Sequence, residues 1–352
     1  MKFRGLYAAG LAAFIIGCAV ASTKCAAQAE HYPTRPNIEL DFDLRTRIAA
    51  GGKTKSGLYS GSVHIDSDLA PGWRVSFDGD RKTKELVGGG TSQFQAQKVY
   101  IEREWSGQRA RAGIIRLPFG IYDTRETYAS GIIDYPLARG DYGYNSVDWG
   151  VPGVSWMGGS PNLQIEAALM NGGAAGNWGN HNHVDGGAIR FQTYVSHLIL
   201  GVSRWNGHID YQGPESGSGY GGGLFTVNQR RDVRINGLDT RFTLPHLLLR
   251  GEYIFGTLGD NQTHGGYLDI YYHLPKYEKW TLAARVEAMR PGTGLPYGKQ
   301  GTLGVRYTAT PDWVLSLDWR RNNGKSFYNY SWTAYSGRGG NFFFQAYHKL
   351  KL

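Results

Sequence analysis

A chain of 352 residues with 51 glycines, 23 tyrosines and only 19% charged residues favours turn-makers and β-formers over the Ala, Leu, Glu and Lys of long helices. Beyond its first 29 residues no stretch approaches the roughly 18 consecutive apolar residues of a membrane helix. A helical membrane protein is thereby excluded, and any span must come from a closed barrel. The formal charge of +9 leans the chain toward anionic partners without saying where that charge sits.

Residues 1–29 differ from everything after them. "MKFR" is a short positive start, "GLYAAGLAAFIIGCAVA" an apolar run, and "AQA" before Glu30 a small-x-small cleavage site, which together read as a secretory signal peptide. The rival reading is a lipoprotein signal that presents Cys18 for acylation. Cleavage after "AQA" takes both cysteines, Cys18 and Cys25, with it, along with Lys2, Arg4 and Lys24. An exported chain without disulfides needs another source of stability, and a closed hydrogen-bond network supplies one.

From residue 30 onward the pattern has a period of two. "NIELDFDLRTRI" places Ile38, Leu40, Phe42, Leu44 and Ile48 on one face and Glu39, Asp41, Asp43, Arg45 and Arg47 on the other. No soluble core asks one strand for five charges in successive inward positions; a wall between lipid and water does. The pattern returns in "GWRVSFDGD", "NLQIEAALM", "KWTLAARVEAM" and "DWVLSLDWRR". Sixteen such segments follow, at about 37–48, 58–67, 72–80, 92–104, 109–117, 149–157, 162–171, 186–194, 197–206, 231–243, 247–257, 265–274, 279–289, 300–308, 313–322 and 341–352.

Short joins such as "DLAPG", "WSGQ", "VSH" and "ATPD" alternate with long Gly- and Asn-rich ones, the anatomy of an outer-membrane barrel. The last segment, "NFFFQAYHKLKL", alternates to its end and needs partners on both sides, which pairing with the first strand provides. Trp73, Trp280 and Trp313 each open a segment after a short turn, where indoles form an interfacial girdle or simply pack across strands. Around "RINGLDTRF" the alternation slips, and a bulge near Gly237 is expected.

The longest irregular stretch, residues 118–150, holds Tyr122, Asp123, Arg125, Glu126, Asp134, Arg139, Asp141 and Asp148. A loop this long inside a compact fold is functional or disordered, and its Phe, Ile, Tyr and Leu content speaks for order. Folded into the lumen, it would narrow the passage and set the charge of the constriction together with Arg116 at its entry.

"RAGIIRLPFGIYDTRETY" resembles the "R-[LV]-P-F-G-[LI]-Y" stretch of bacterial outer-membrane porins related to the phosphate-selective and dicarboxylate-type families. "GLDTRFTLPHLLLRGEYIFG" and "GTLGVRYTATPDWVLSLDW" are similar to later strand pairs of the same group. The resemblance implies an all-β transmembrane barrel of about sixteen strands whose third long extracellular loop folds inward, assembled as a homotrimer. The dense lysine ladder of a phosphate channel is missing: only Lys98, Lys299, Lys349 and Lys351 fall in strands near lumen positions.

The inward charges expected from the alternation are Asp41, Asp43, Arg45, Arg47, Arg74, Arg109, Arg111, Arg190, Arg241, Arg250, Glu252, Arg285, Arg306, Asp318, Arg320 and Lys349. Arginines facing carboxylates build a transverse field that orients dipolar solutes; the plainer alternative is that they pair as struts in the wall. Arg116, Arg125 and Arg139 are the strongest candidates for touching solute.

Other motifs carry less. His181 and His183 in "HNH" have only Asp185 at a metal-ligand spacing, so no metal or other cofactor is expected. "GGG" at 88–90 and 221–223 lacks the Lys-Ser of a phosphate loop. "RRDVR" at 230–234 reads as a solvated strand entry, with a basic patch for nucleic acid or lipopolysaccharide phosphate as the alternative.

The expected function is a passive diffusion channel in a Gram-negative-type outer membrane, surrounded by lipid and lipopolysaccharide. It would pass small hydrophilic solutes with a mild preference for anions and bind no nucleic acid. The alternatives are a barrel-borne lipase or protease, for which His64, His197, His246, His273 and His348 lack serine–acid company, and a secreted glycan-binding β-protein.

Overall fold

The computed structural model describes residues 36–49, 55–82, 94–121, 132, 133, 136, 150–173, 183–211, 229–290, 298–323 and 339–352. These form sixteen strands: β1 (Asn37–Ala49), β2 (Lys55–Ala70), β3 (Trp73–Lys82), β4 (Phe94–Trp105), β5 (Gln108–Arg116), β6 (Gly150–Ser160), β7 (Leu163–Gly173), β8 (His183–Val195), β9 (Leu198–Tyr211), β10 (Gln229–Thr243), β11 (Leu247–Leu258), β12 (Asn261–His273), β13 (Trp280–Arg290), β14 (Gly298–Thr310), β15 (Trp313–Asn323) and β16 (Gly339–Lys351). Every strand runs antiparallel to its chain neighbours and the ring closes. β16 lies against β1 from Glu39↔Lys351 to Ala49↔Asn341, and the Leu352 amide donates to the Ile38 carbonyl at 3.0 Å. Closure removes the exposed edges that an open sheet of this size would present.

Alternation assigns the two faces. On β1, Phe42, Leu44 and Ile48 are exposed outside while Asp41, Asp43 and Arg45 are buried inside. β13 turns Trp280, Leu282 and Val286 outward and Thr281, Arg285, Glu287 and Met289 inward. Lys299 pairs with Ala288 on the outward parity, so it leaves the set of lumen lysines. The three short-turn tryptophans pack against side chains on neighbouring strands. Trp280 and Trp313 are exposed at the start of their strands, yet Trp280 packs on Tyr307 at 4.7 Å and Trp313 stacks on His348 at 4.2 Å. Trp73 carries the Arg103 guanidinium at 5.0 Å.

Register shifts occur at Asp43/Leu44, Asp68/Ala70, Asp78/Gly79 and Thr308/Thr310. The bulge expected at Gly237 is absent: β10 runs through it in unbroken register with both β9 and β11. What slips there is polarity. In the short-turn half of β10, Leu238 faces out and Asp239 in; in the long-loop half, Val233 and Ile235 are fully buried inside while Asp232 and Arg234 are exposed outside.

The inversion follows from what fills the barrel. Val233 and Ile235 join Val151, Met170, Val184, Trp205, Ile209, Ile254, Leu258 and Met289 in a dry apolar core on the inner face of β6–β13, toward the long loops. A barrel with a core on its inside demands apolar residues there, whichever face the periodicity favours elsewhere.

Candidate pore

The segment after β5 enters the lumen at once. Leu117 and Phe119 pack into the inner core, and the Gly120 amide donates to Ser203 Oγ at 3.2 Å. Gly237 is opposite: a Cβ there would lie 2.6 Å from Ser203 Oγ and 2.9 Å from the Phe119 ring. Glycine at 237 is thus required by the inward segment rather than by a bulge. Gly120 itself has φ of 61°, a left-handed conformation that turns the chain off the wall.

The segment meets the barrel again on the far side. Ile132 is fully buried against Tyr271, Ala283 and Leu248. The Ile133 amide donates to Asp318 Oδ2 at 2.6 Å, and Arg320 Nη2 donates to the Ile133 carbonyl at 2.6 Å. The amide and the carbonyl of one residue are thus both satisfied by β15. The inward long loop is anchored at β9–β10 on one wall and at β12–β15 on the other.

Beside this anchor, toward the long loops, the wall is charged and dry. Asp269 accepts from Arg285 Nε at 2.6 Å and from Arg250 Nη2 at 2.9 Å, and all three side chains are buried. Arg45 pairs with Asp43 at 2.8 Å. Each guanidinium also lies over a ring: Arg45 on Tyr59 at 3.6 Å, Arg320 on Phe343 at 4.8 Å, Arg250 on Tyr271 at 5.4 Å and Arg285 on Tyr267 at 5.6 Å. Arg45, Arg250, Arg285, Arg320, Asp43, Glu252 and Asp318 therefore face inward as the alternation requires, but they are buried in the wall.

Elsewhere part of the ionic lining reaches water, and three of its ion pairs share an asymmetry. In Arg111–Glu102 the side chains are 23% and 6% exposed; in Arg190–Asp239, 15% and 0%; in Lys349–Glu39, 29% and 10%. Arg109, 34% exposed, stands 3.9 Å from the same Glu102. In Lys98–Asp78, 3.1 Å apart, and Arg111–Glu166, 3.6 Å apart, the two partners are more nearly equal in exposure, at 17% and 12% and at 23% and 20%. Carboxylates sit close to the sheet and the longer cationic side chains reach past them into the lumen. Arg241 and Arg306 are half-buried on the same inward parity. Between β1 and β3, His64 holds Asp41 through Nε2 and Asp78 through Nδ1, both at 2.7 Å. Each ring nitrogen of His64 thus lies against a separate carboxylate.

Other expected residues fall elsewhere. Arg74 is exposed near the short turns and bonds Asp68 at 3.0 Å. Arg116 pairs with Gly150 on the parity of Ala112 and Ile114, not that of Arg109 and Arg111. The backbone of Arg47 pairs with Phe343 and Lys55. Tyr122, Asp123, Arg125, Glu126, Asp134, Arg139, Asp141, Asp148 and His181 lie outside the described residues. Among the described residues no group of three or more His, Cys, Asp or Glu side chains is arranged to hold a metal ion.

A closed antiparallel barrel of sixteen strands, apolar outside, ionic inside and crossed by its third long loop, has the fold of bacterial outer-membrane porins. Solved structures carry the same architecture. The outer membrane protein OmpT of Vibrio cholerae, in its trimer form, superposes with a TM-score of 0.62 at 12% identity, over 90% of this chain and 99% of that one. OmpF of Salmonella typhi, in complex with daunomycin, gives 0.63 at 10%, covering 90% and 98%. An anion-selective porin from Comamonas acidovorans gives 0.59 at 11%, covering 91% and 99%. At these identities the likeness is one of fold. No family model and no curated protein matches the chain.

Proposed function

We propose that the protein is an outer-membrane porin of a Gram-negative-type bacterium: a water-filled channel through which small hydrophilic solutes diffuse passively, with a mild preference for anions. Residues 1–29 direct export and are removed. The mechanism is sieving by the inward loop plus electrostatics at the wet wall, with no covalent step.

The observation that carries the anion preference is the asymmetry of the lumen ion pairs. Arg109, Arg111, Arg190 and Lys349 present more of their side chains to water than Glu102, Asp239 and Glu39, which lie closer to the sheet. A passing solute therefore meets the cationic end of each dipole first. The trimer form of the Vibrio cholerae protein supports a homotrimer here.

Reconstitution into a planar bilayer tests the channel reading through discrete conductance steps. The reversal potential in a KCl gradient then tests selectivity: its sign is expected to report chloride moving faster than potassium. A potassium-selective sign removes the anion preference, and the absence of steps removes the channel.

A further inference from the structure

The outer face of β8–β10 does not suit lipid chains along its whole height. Six residues in from the short-turn end, β7, β11 and β13 present the exposed apolar side chains Leu169, Tyr253 and Val286 to the outside. At the same count β9 presents Arg204, also exposed. A charge at this level of an apolar belt is costly unless something polar meets it.

Arg204 does not stand alone. Register places Asn236 beside it on β10, then Asn206 beside Arg234, then His208 between Asp185 and Asp232. All these positions share the outward parity of Val202 and Leu238. The rung immediately toward the short turns is apolar: Phe191, Val202 and Leu238, each exposed. So β9 and β10 change from greasy to polar in one step, partway up the barrel, while β8 still presents exposed Ile189 beside Arg204 and turns polar only at Asp185.

The charges are unevenly satisfied. His208 engages both carboxylates, Asp185 at 2.7 Å and Asp232 at 3.2 Å. Arg234, 69% exposed, is only 3.9 Å from Asp232. Among the described residues, Arg204 donates to neutral Asn206 at 3.3 Å and enters no ion pair. Two exposed guanidiniums on adjacent strands, Arg204 one rung and Arg234 two rungs above Val202 and Leu238, thus stand beside two primary amides.

We infer that this strip binds a phosphorylated glycolipid of the outer leaflet. The occupant must carry acyl chains for Phe191, Val202 and Leu238, an anion for Arg204 and Arg234, and hydroxyl groups for Asn206 and Asn236. A phosphorylated, multiply acylated glucosamine disaccharide has all three in that vertical order. Guanidinium forks match phosphate oxygens in a bidentate manner, and the long Arg204 side chain extends toward the headgroup level. The inference rests on the outer-membrane reading and adds a partner to it.

The test uses the folded, full-length mature protein in detergent, with native mass spectrometry counting bound lipid. The probes are diphosphoryl hexa-acyl lipid A and its phosphate-free counterpart with the same chains. The wild type is expected to favour the phosphorylated form by about thirtyfold, the scale of two surface cations on an anionic headgroup. Arg204→Gln with Arg234→Gln is expected to abolish that preference, whereas Lys276→Gln with Lys279→Gln at a short turn keeps it.

Equal binding of the two lipids by the wild type, or an unchanged preference in the arginine variant, overturns the inference. So does an arginine variant that falls apart into monomers in sedimentation with its lipid preference intact, which would assign the strip to contact between copies. Heat-modifiable gel migration confirms that each variant is folded. Unit conductance, recorded in parallel, is expected to be the same in all of them because the residues face outward. Absence of conductance in the wild type would instead sink the channel reading.

Discussion

Asp318, on β15, accepts the backbone amide of Ile133 at 2.6 Å across the interior of the barrel. Two positions along the strand, Arg320 donates to the carbonyl of that same residue. A loop that must stand in a channel without swelling shut or swinging free needs its peptide groups satisfied by the wall, because buried and unpaired they destabilise it.

Removing the carboxylate is therefore expected to free the loop. Asp318→Ala leaves the Ile133 amide without its acceptor and Arg320 without a counter-charge beside it. The predicted cost is about 1–3 kcal/mol for the orphaned donor. In single-channel records the variant should show noisier openings of larger unit conductance, since the segment from Gly120 to Ile133 loses its far anchor. A quiet channel of wild-type size would mean that the apolar seat of Ile132 holds the loop by itself.

The Arg250–Asp269–Arg285 cluster makes a different prediction. Its three side chains are buried, with Asp269 and Arg285 wholly removed from water. Asp269→Ala would strand two guanidiniums in the wall, a loss of about 3–5 kcal/mol for a broken buried pair. Replacing all three residues by apolar ones of similar volume is expected to restore most of the stability. Urea unfolding in detergent, followed by the mobility shift of the folded band, measures both. Equal stability of Asp269→Ala and the wild type would show that water reaches the cluster.

Gly237 offers a probe of the near anchor. Gly237→Ala adds a methyl group where Ser203 Oγ and the Phe119 ring already lie within 3 Å. Overpacking of this kind costs about 1–3 kcal/mol. Because β10 keeps its register here, the barrel is expected to close as before, while the entry of the long loop shifts and unit conductance changes. Phe119→Leu in the same background should relieve the clash and return the conductance toward its original value.

That same glycine marks where the sequence was readable and where it was not. The sixteen segments, the last-to-first pairing and the inward parity of the charged residues follow from a period of two, because a sheet wall has only two faces. A wet arginine and a dry one cannot be separated in this way: Arg285 and Arg111 both occupy inward positions, yet the first is wholly removed from water and the second is not. Ile132 and Ile133 carry no periodicity, so nothing local announced an anchor more than 180 residues away from its partner. The irregular alternation at "RINGLDTRF" was visible, but an inner apolar core and a bulge leave the same trace in one dimension. It took the placement of Phe119 and Trp205 to tell them apart.

The lumen pairs give the last prediction. If selectivity arises because cations outreach their carboxylates, the two partners of a pair must act with opposite sign. Arg109→Gln with Lys349→Gln removes two of the most exposed lumen charges and leaves Glu102 and Glu39 less shielded. The reversal potential in a KCl gradient should then move toward the cation-selective side. Glu102→Gln should move it the other way, freeing Arg109 and Arg111 to act on the lumen, and by less, since the carboxylate is already shielded. Raising the salt tenfold should compress both displacements, as screening shortens the reach of the wall charges from about 10 Å at 0.1 M to about 3 Å at 1 M. Displacements of the same sign for the two changes would mean that selectivity is set at the loop rather than at the wall.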